Sequence, residues 1–325
     1  MGFDFHLSQA NGKIEEADQE NIVSRLRQII GNGIRERQKK AWSHWTGQYF
    51  CFLPQPEDLN DLPKYSWLLK ISFTLKKPFT SKDENELHPY DNDNSHEIQN
   101  PVVQDWILGC PVIRSTTWKG HLRFATRLIN NDDQITRRLF GNKTDDKENF
   151  FKGRLHFFPT FFNDKPEVDV LTPLSRETRT PTEKGPIKIE VVPVGTKGEF
   201  YLLYVPFPKG KDYATDQVKK DLETVVKSLK AMFLTYGFSA KKTSGFGVVK
   251  EDIKGSMFFI NGAEKKPDKK EVKEVSAKKV TDFKDIGKLA IDVENISDSG
   301  KMKKIEIDNF KDLEHLPDKF NWEGK

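Results

Sequence analysis

Cysteine is scarce. Two residues in 325, Cys51 and Cys110, can build neither a disulfide framework nor a four-thiolate zinc site. No apolar run approaches the roughly 20 residues that a membrane-spanning helix requires. The opening residues, Met1-Gly2-Phe3-Asp4-Phe5-His6, lack a basic region followed by an apolar one. No secretory signal is read there, and the expectation is a cytoplasmic protein with no membrane partner. No Gly-x-x-x-x-Gly-Lys-[Ser/Thr] loop occurs, so nucleotide hydrolysis has no support. Net charge is also small, with 53 Lys+Arg against 49 Asp+Glu leaving +4.

What the chain does have is phenylalanine, 24 residues of it, enough aromatic volume for a core in one large or two ordinary domains. The charge is also unevenly spread. Residues 99–152 hold nine basic and six acidic residues, and residues 216–261 hold eight and five. Each segment therefore carries nearly the whole excess, offset by an acidic front.

Periodicity organises the chain into an extension, a main body and an appendage. Residues 1–64 read as a helical N-terminal extension, with Ile22, Leu26, Ile29 and Ile30 at helical spacing. In residues 67–75 apolar and polar side chains alternate after Leu69, which predicts a strand. Residues 82–96 form a polar loop in which His88, Asp91, Asp93 and His96 have no metal-site spacing. A helix is predicted from Ser115, capped by Ser115, Thr116 or Thr117, with Trp118, Leu122, Ala125 and Ile129 as its buried stripe. Residues 153–162 predict a strand interrupted by Pro159, and residues 163–186 a long polar excursion. Ile187–Pro193 and Phe200–Phe207 then predict a hairpin turning at Gly195 and Gly198. A second helix runs from about Asp216 to Tyr236 and stops at Gly237. A basic glycine-containing turn then leads into a short strand at Val248 and Val249. The order βαββαβ predicts an α+β, ferredoxin-like (RRM-like) core over 65–261 with an added hairpin. Residues 262–281 read as a charged linker and 282–325 as a small C-terminal appendage.

One helix face is unusual. Lys119, Arg123 and Arg127 stand at i, i+4 and i+8, where like charges repel by a few tenths of a kcal/mol per pair. Three cations in line near a helix N-terminus suggest a bound anion. In the second basic segment, Lys241 and Lys242 precede Thr243-Ser244-Gly245-Phe246-Gly247. There the glycines allow backbone N–H groups to approach a phosphate. Trp118 and Phe246 fall at core-facing positions.

These segments resemble the RAMP superfamily of CRISPR-associated proteins, in particular the backbone subunits of type III RNA-guided effector complexes. The family element reads roughly Pro-hydrophobic-Pro-Gly-Ser-Ser-hydrophobic-Lys-Gly-x-hydrophobic-Arg. It is matched by Pro111, Ile113, Ser115 or Thr116, Lys119, Gly120, Leu122 and Arg123. The family's glycine-rich loop is matched by Ser244-Gly245-Phe246-Gly247. The resemblance spans about residues 65–250. It implies a crRNA-binding subunit that pairs its guide with target RNA beside sister subunits. The RNA-binding candidates are Arg114, Ser115, Thr116, Thr117, Lys119, Gly120, Arg123, Arg127, Lys241, Lys242, Thr243, Ser244, Gly245 and Gly247. In the family a target-cleaving aspartate stands two residues before the Pro101-like proline; here that residue is Gln99, which cannot ionise. Asp91 and Asp93 are the alternative carboxylates for target cleavage, with Mg²⁺ required only in that case. His121 is the candidate base for metal-independent cutting of a guide precursor. No other cofactor is implied. A protein–protein adaptor that does not touch RNA is the remaining reading.

Overall fold

The computed structural model describes residues 53–81, 98–105, 108–130, 132–142, 152–206 (except 176, 179, 183 and 184), 215–260 and 302–319. The N-terminal extension up to residue 52, the carboxylates Asp91 and Asp93, and the linker at 262–281 lie outside them.

The chain is an α+β protein built on an antiparallel sheet. Its centre is β1 (Trp67–Thr74), where Leu69, Ile71 and Phe73 point into the core between half-buried polar neighbours. β1 pairs on one edge with β7 (Lys197–Tyr204), which pairs in turn with β3 (Leu155–Phe157). On the other edge it pairs with β8 (Lys254–Ile260), which carries β9 (Met302–Ile307). The sheet order is therefore β3-β7-β1-β8-β9. Two short two-stranded sheets lie beside it: β2 (Val112–Ile113) with β4 (Thr160–Phe161), and β5 (Glu167–Leu171) with β6 (Ile187–Val191).

Helix α1 (Ser115–Ile129) and helix α3 (Thr215–Ala231) pack together. Between them in sequence lies the short α2 (Asp133–Phe140), capped by Asp132. Trp118 anchors α1 within an aromatic cluster of Phe73, Phe200, Phe233 and Phe238, with ring centroids 4.6–6.1 Å away. Its indole N–H donates to Thr160 Oγ1 at 3.0 Å, so the buried nitrogen is satisfied. α3 buries Val218, Leu222, Val225, Val226 and Leu229, continues through a π-helical turn (Met232–Tyr236) and stops at Gly237. Residues 310–319 add α4 (Phe310–Glu314) and α5 (Leu316–Lys319), which pack on α3. Among the described residues no helix is long and apolar enough to cross a membrane.

A buried charged cluster ties these parts together. Asp221 of α3, fully buried, accepts from Arg138 of α2, from Arg154 before β3 (3.0 Å) and from the Tyr204 hydroxyl of β7 (2.8 Å). Burial, and next the Asp221 carboxylate, push the Tyr204 phenol well up, so it stays protonated and donates.

The structure corrects four local expectations. β6 and β7 do not form a hairpin. The strap after β1 enters between them, Phe79 exchanging backbone bonds with Val192 (2.7 and 3.0 Å), and β6 pairs with β5 from the predicted polar excursion. Val249 makes only an isolated bridge to Leu75, and the strand beside β1 begins five residues later. The N-cap of α1 is Arg114, and no side chain caps the helix. Finally, Ile129 is 41% exposed; the buried stripe ends at Thr126, whose hydroxyl bonds back to Leu122 O at 2.8 Å.

Candidate nucleic-acid interface

Anchoring Trp118 and Leu122 in the core fixes what the rest of α1 presents. At 100° per residue, Gly120, Phe124 and Arg127 fall on the outer face. Lys119 and Arg123 flank it on one side and His121 on the other. Lys119 and Arg123 are half-buried, and Arg127 is exposed. Among the described residues none of the three cations forms an ion pair. Burial, and then the neighbouring Arg123, lowers the Lys119 pKa; burial and Arg127 lower that of Arg123. The buried Nε of Arg123 has no hydrogen-bond partner among the described residues. An uncompensated row of cations is costly unless an anion completes it.

The second basic segment meets the first. Lys242 places its ammonium 3.9 Å from the centroid of the Phe124 ring, a cation–π contact between the loop and α1. Tyr236 meets the same ring edge-on at 5.8 Å. Burial, with the Lys242 charge second, lowers His121 to about 4, so His121 is neutral at pH 7. On the opposite flank His156 of β3 is lowered by burial, then by Lys152 and Lys119, which extends the positive field across the sheet edge. The two segments thus share one surface, with Phe124 at the join.

Three further features suit this surface to a polyanion. The first turn of α1 contains no acidic residue and no side-chain cap, leaving its positive end open beside Arg114, Ser115, Thr116 and Thr117. Gly120 sits mid-helix, where glycine costs roughly 0.5–1 kcal/mol relative to alanine. A Cβ there would meet nothing within 4 Å, so no neighbour in the chain explains it. Thr243 and Ser244 are exposed at the tip of the loop.

Residues 24–250 match the model of the RAMP superfamily. The chain belongs to the RAMP superfamily. A related protein, the CRISPR system Cms endoribonuclease Csm3 of Streptococcus thermophilus, is 29% identical over 182 residues, covering 50% of this chain and 80% of the relative. A solved structure, the Type III-B Cmr-beta bound to cognate target RNA, aligns over 77% of this chain and 81% of its own, at 14% identity and a TM-score of 0.41.

In this RAMP chain the glycine-rich loop works differently from the sequence expectation. Gly245 (φ +77°) and Gly247 (φ +75°) occupy the left-handed region, and a Cβ on Gly247 would lie 2.7 Å from Ser239 Cβ and N. Their amides are already committed within the chain, Gly245 N–H to Lys242 O and Gly247 N–H to Pro78 O, both at 2.8 Å. The two glycines therefore shape the loop. What the loop presents outward is Lys242, Thr243 and Ser244, with Lys241 half-buried at its start. Trp118 and Phe246 are buried and unavailable for stacking on a base.

The acidic and catalytic candidates separate. Gln99 is held in the fold, its Oε1 accepting from Lys188 N at 2.8 Å. Asp105 closes a turn by accepting from Leu108 N at 2.8 Å. His121 faces Lys242 rather than a carboxylate. Among the described residues no group of three or more His, Cys, Asp or Glu is arranged to hold a metal. Phe124 is the residue the sequence reading missed; its one available signal was an aromatic between Arg123 and Arg127 on an otherwise polar face.

Proposed function

We propose that this chain is a crRNA-binding structural subunit of a type III CRISPR effector complex. It holds the guide by its phosphates and presents the bases for pairing with target RNA, beside sister subunits in the cytoplasm. The observation that carries the reading is the junction of α1 and the basic loop through Phe124 and Lys242, in a chain of the RAMP superfamily. Contacts from Lys119, Arg123, Arg127 and Lys242 to phosphate are indifferent to sequence, which suits a guide whose bases must stay free. The core is read as ferredoxin-like. In its support, β3-β7-β1-β8 is the order of a βαββαβ sheet with α1 and α3 as the two crossover helices, β9 being an added edge strand.

The test is guide retention in the assembled complex. Lys119→Ala with Arg123→Ala should weaken guide binding and reduce its salt slope by about 1.4, roughly 0.7 per lost phosphate contact on a single strand. Unchanged retention and slope would favour an adaptor that does not touch RNA. The related Csm3 is named an endoribonuclease. With Gln99 at the expected aspartate position, cleavage by this chain would fall to Asp91 or Asp93 with Mg²⁺. Labelled target RNA cut by the complex but not by its Asp91→Ala or Asp93→Ala form would establish that activity.

A further inference from the structure

Beside the basic surface is a cavity of about 290 Å³. One wall is the first turn of α1, contributing Thr116, Thr117 and His121; the others are the straps Phe79–Ser81 and Phe238–Ala240, with Val103 and Val112 beneath. The walls are preformed. Thr80 O accepts from Ser239 Oγ (2.8 Å) and from Ala240 N (3.0 Å), and Thr80 N donates to Ser239 Oγ (3.0 Å). The mouth opens between exposed residues Arg114, Thr116 and Ala240.

The chemistry changes from rim to interior. Arg114 is the only charged side chain in the lining, and it stands at the rim. Inside are apolar surfaces from Phe79, Val103, Val112 and Phe238, together with hydroxyls and one imidazole. His121 is uncharged at neutral pH, held so by burial and the Lys242 charge, and therefore offers one donor and one acceptor. A phosphate, which seeks cations, is better served outside on Lys119, Arg123 and Lys242. A flat heteroaromatic ring with donors and acceptors on its edge matches the interior. The volume lies at the small end of ligand sites, suited to a single ring system.

We propose that this cavity receives one unstacked nucleobase of the RNA strand whose phosphates lie on α1. The inference rests on the phosphate-binding reading above and adds to it a site that senses a base. Each RNA subunit bound would then surrender one base from the stack at this position, the ring entering past Arg114 while its own phosphate stays at the rim.

The experiment compares two probes of equal charge on the full chain: a short oligoadenylate, and a ribose-phosphate oligomer of the same length without bases. The base-bearing probe should bind about tenfold more tightly, the order of one stacked base. Ala240→Phe, which fills the mouth without touching the cations, should abolish that difference while leaving the abasic probe's affinity unchanged. Ala240→Leu is the smaller filler should the first variant fail to fold. Equal binding of both probes by the unaltered chain, or a base preference that survives filling, overturns the cavity assignment and leaves the phosphate surface standing. If neither probe binds, both readings fall.

Discussion

The contact between Lys242 and Phe124 makes the shared surface measurable. With the ammonium 3.9 Å from the ring centroid of a 42% exposed phenylalanine, its worth is about 0.5–1 kcal/mol, the range for solvent-exposed cation–π pairs. Phe124→Ala leaves every charge in place but frees Lys242, whose ordering must then be supplied on binding. Guide affinity should fall about 2- to 5-fold, with the salt slope unaltered. Lys242→Ala instead removes a phosphate contact, so affinity should fall and the slope drop by about 0.7. Once Lys242 is gone Phe124 has nothing to position, so the double variant should match Lys242→Ala alone. Fluorescence titration of a labelled guide-length RNA at several salt concentrations supplies all the numbers for the cycle. Additive losses would show that the pair does not act together on RNA. An unchanged slope in Lys242→Ala would remove the loop from the phosphate surface altogether.

Other expectations follow from the same geometry. Asp221→Ala strands Arg138 and Arg154 without their counter-ion and should cost about 3–5 kcal/mol in urea unfolding, with a matching fall in Tm. Gly247→Ala and Gly120→Ala should act in opposite directions on stability. The first forces a Cβ to within 2.7 Å of Ser239 at positive φ and destabilises, whereas the second enters open space in a helix and stabilises by about 0.5–1 kcal/mol while weakening RNA binding. Since His121 is lowered from 6.5 to about 4, the unfolded chain binds an extra proton between those values. This contribution to stability is complete above pH 6.5 and is lost as pH falls toward 4. In urea titrations across that window His121→Gln should flatten the dependence.

Much of the frame was legible because its periodicity was strong. The alternation through Leu69, Ile71 and Phe73 announced β1, and the spacing from Val218 to Phe233 announced α3. The cationic face of α1 could be read because unbroken like charge at i, i+4 is costly. β5 escaped notice because Val168 and Val170 point outward from a polar segment, the reverse of the pattern that marks a buried strand. The mistaken hairpin had a non-local cause: Gly195 does turn the chain, but which strand pairs with β6 was decided by a strap beginning near Leu75, more than a hundred residues earlier. Nor can sequence show where an amide donates. That left the roles of Gly245 and Gly247 open until Lys242 O and Pro78 O were seen to accept from them. Phe124 carried no periodic signal of its own and became meaningful only when Lys242 was found over its ring.

The position of β1 bears on how the chain is made. Leu69 lies opposite Leu202 on one edge and Met257 on the other, so the central strand is synthesised long before either partner. As it leaves the ribosome it has two open edges and an apolar face, a state prone to pairing with other chains. The second edge closes only after β8 has emerged, and β9 joins later still. A protein of such high contact order should fold slowly and benefit from protection during synthesis. The guide's binding surface on α1 and the loop at 241–247 is translated before that last closure, so RNA could meet the chain while its sheet is still incomplete.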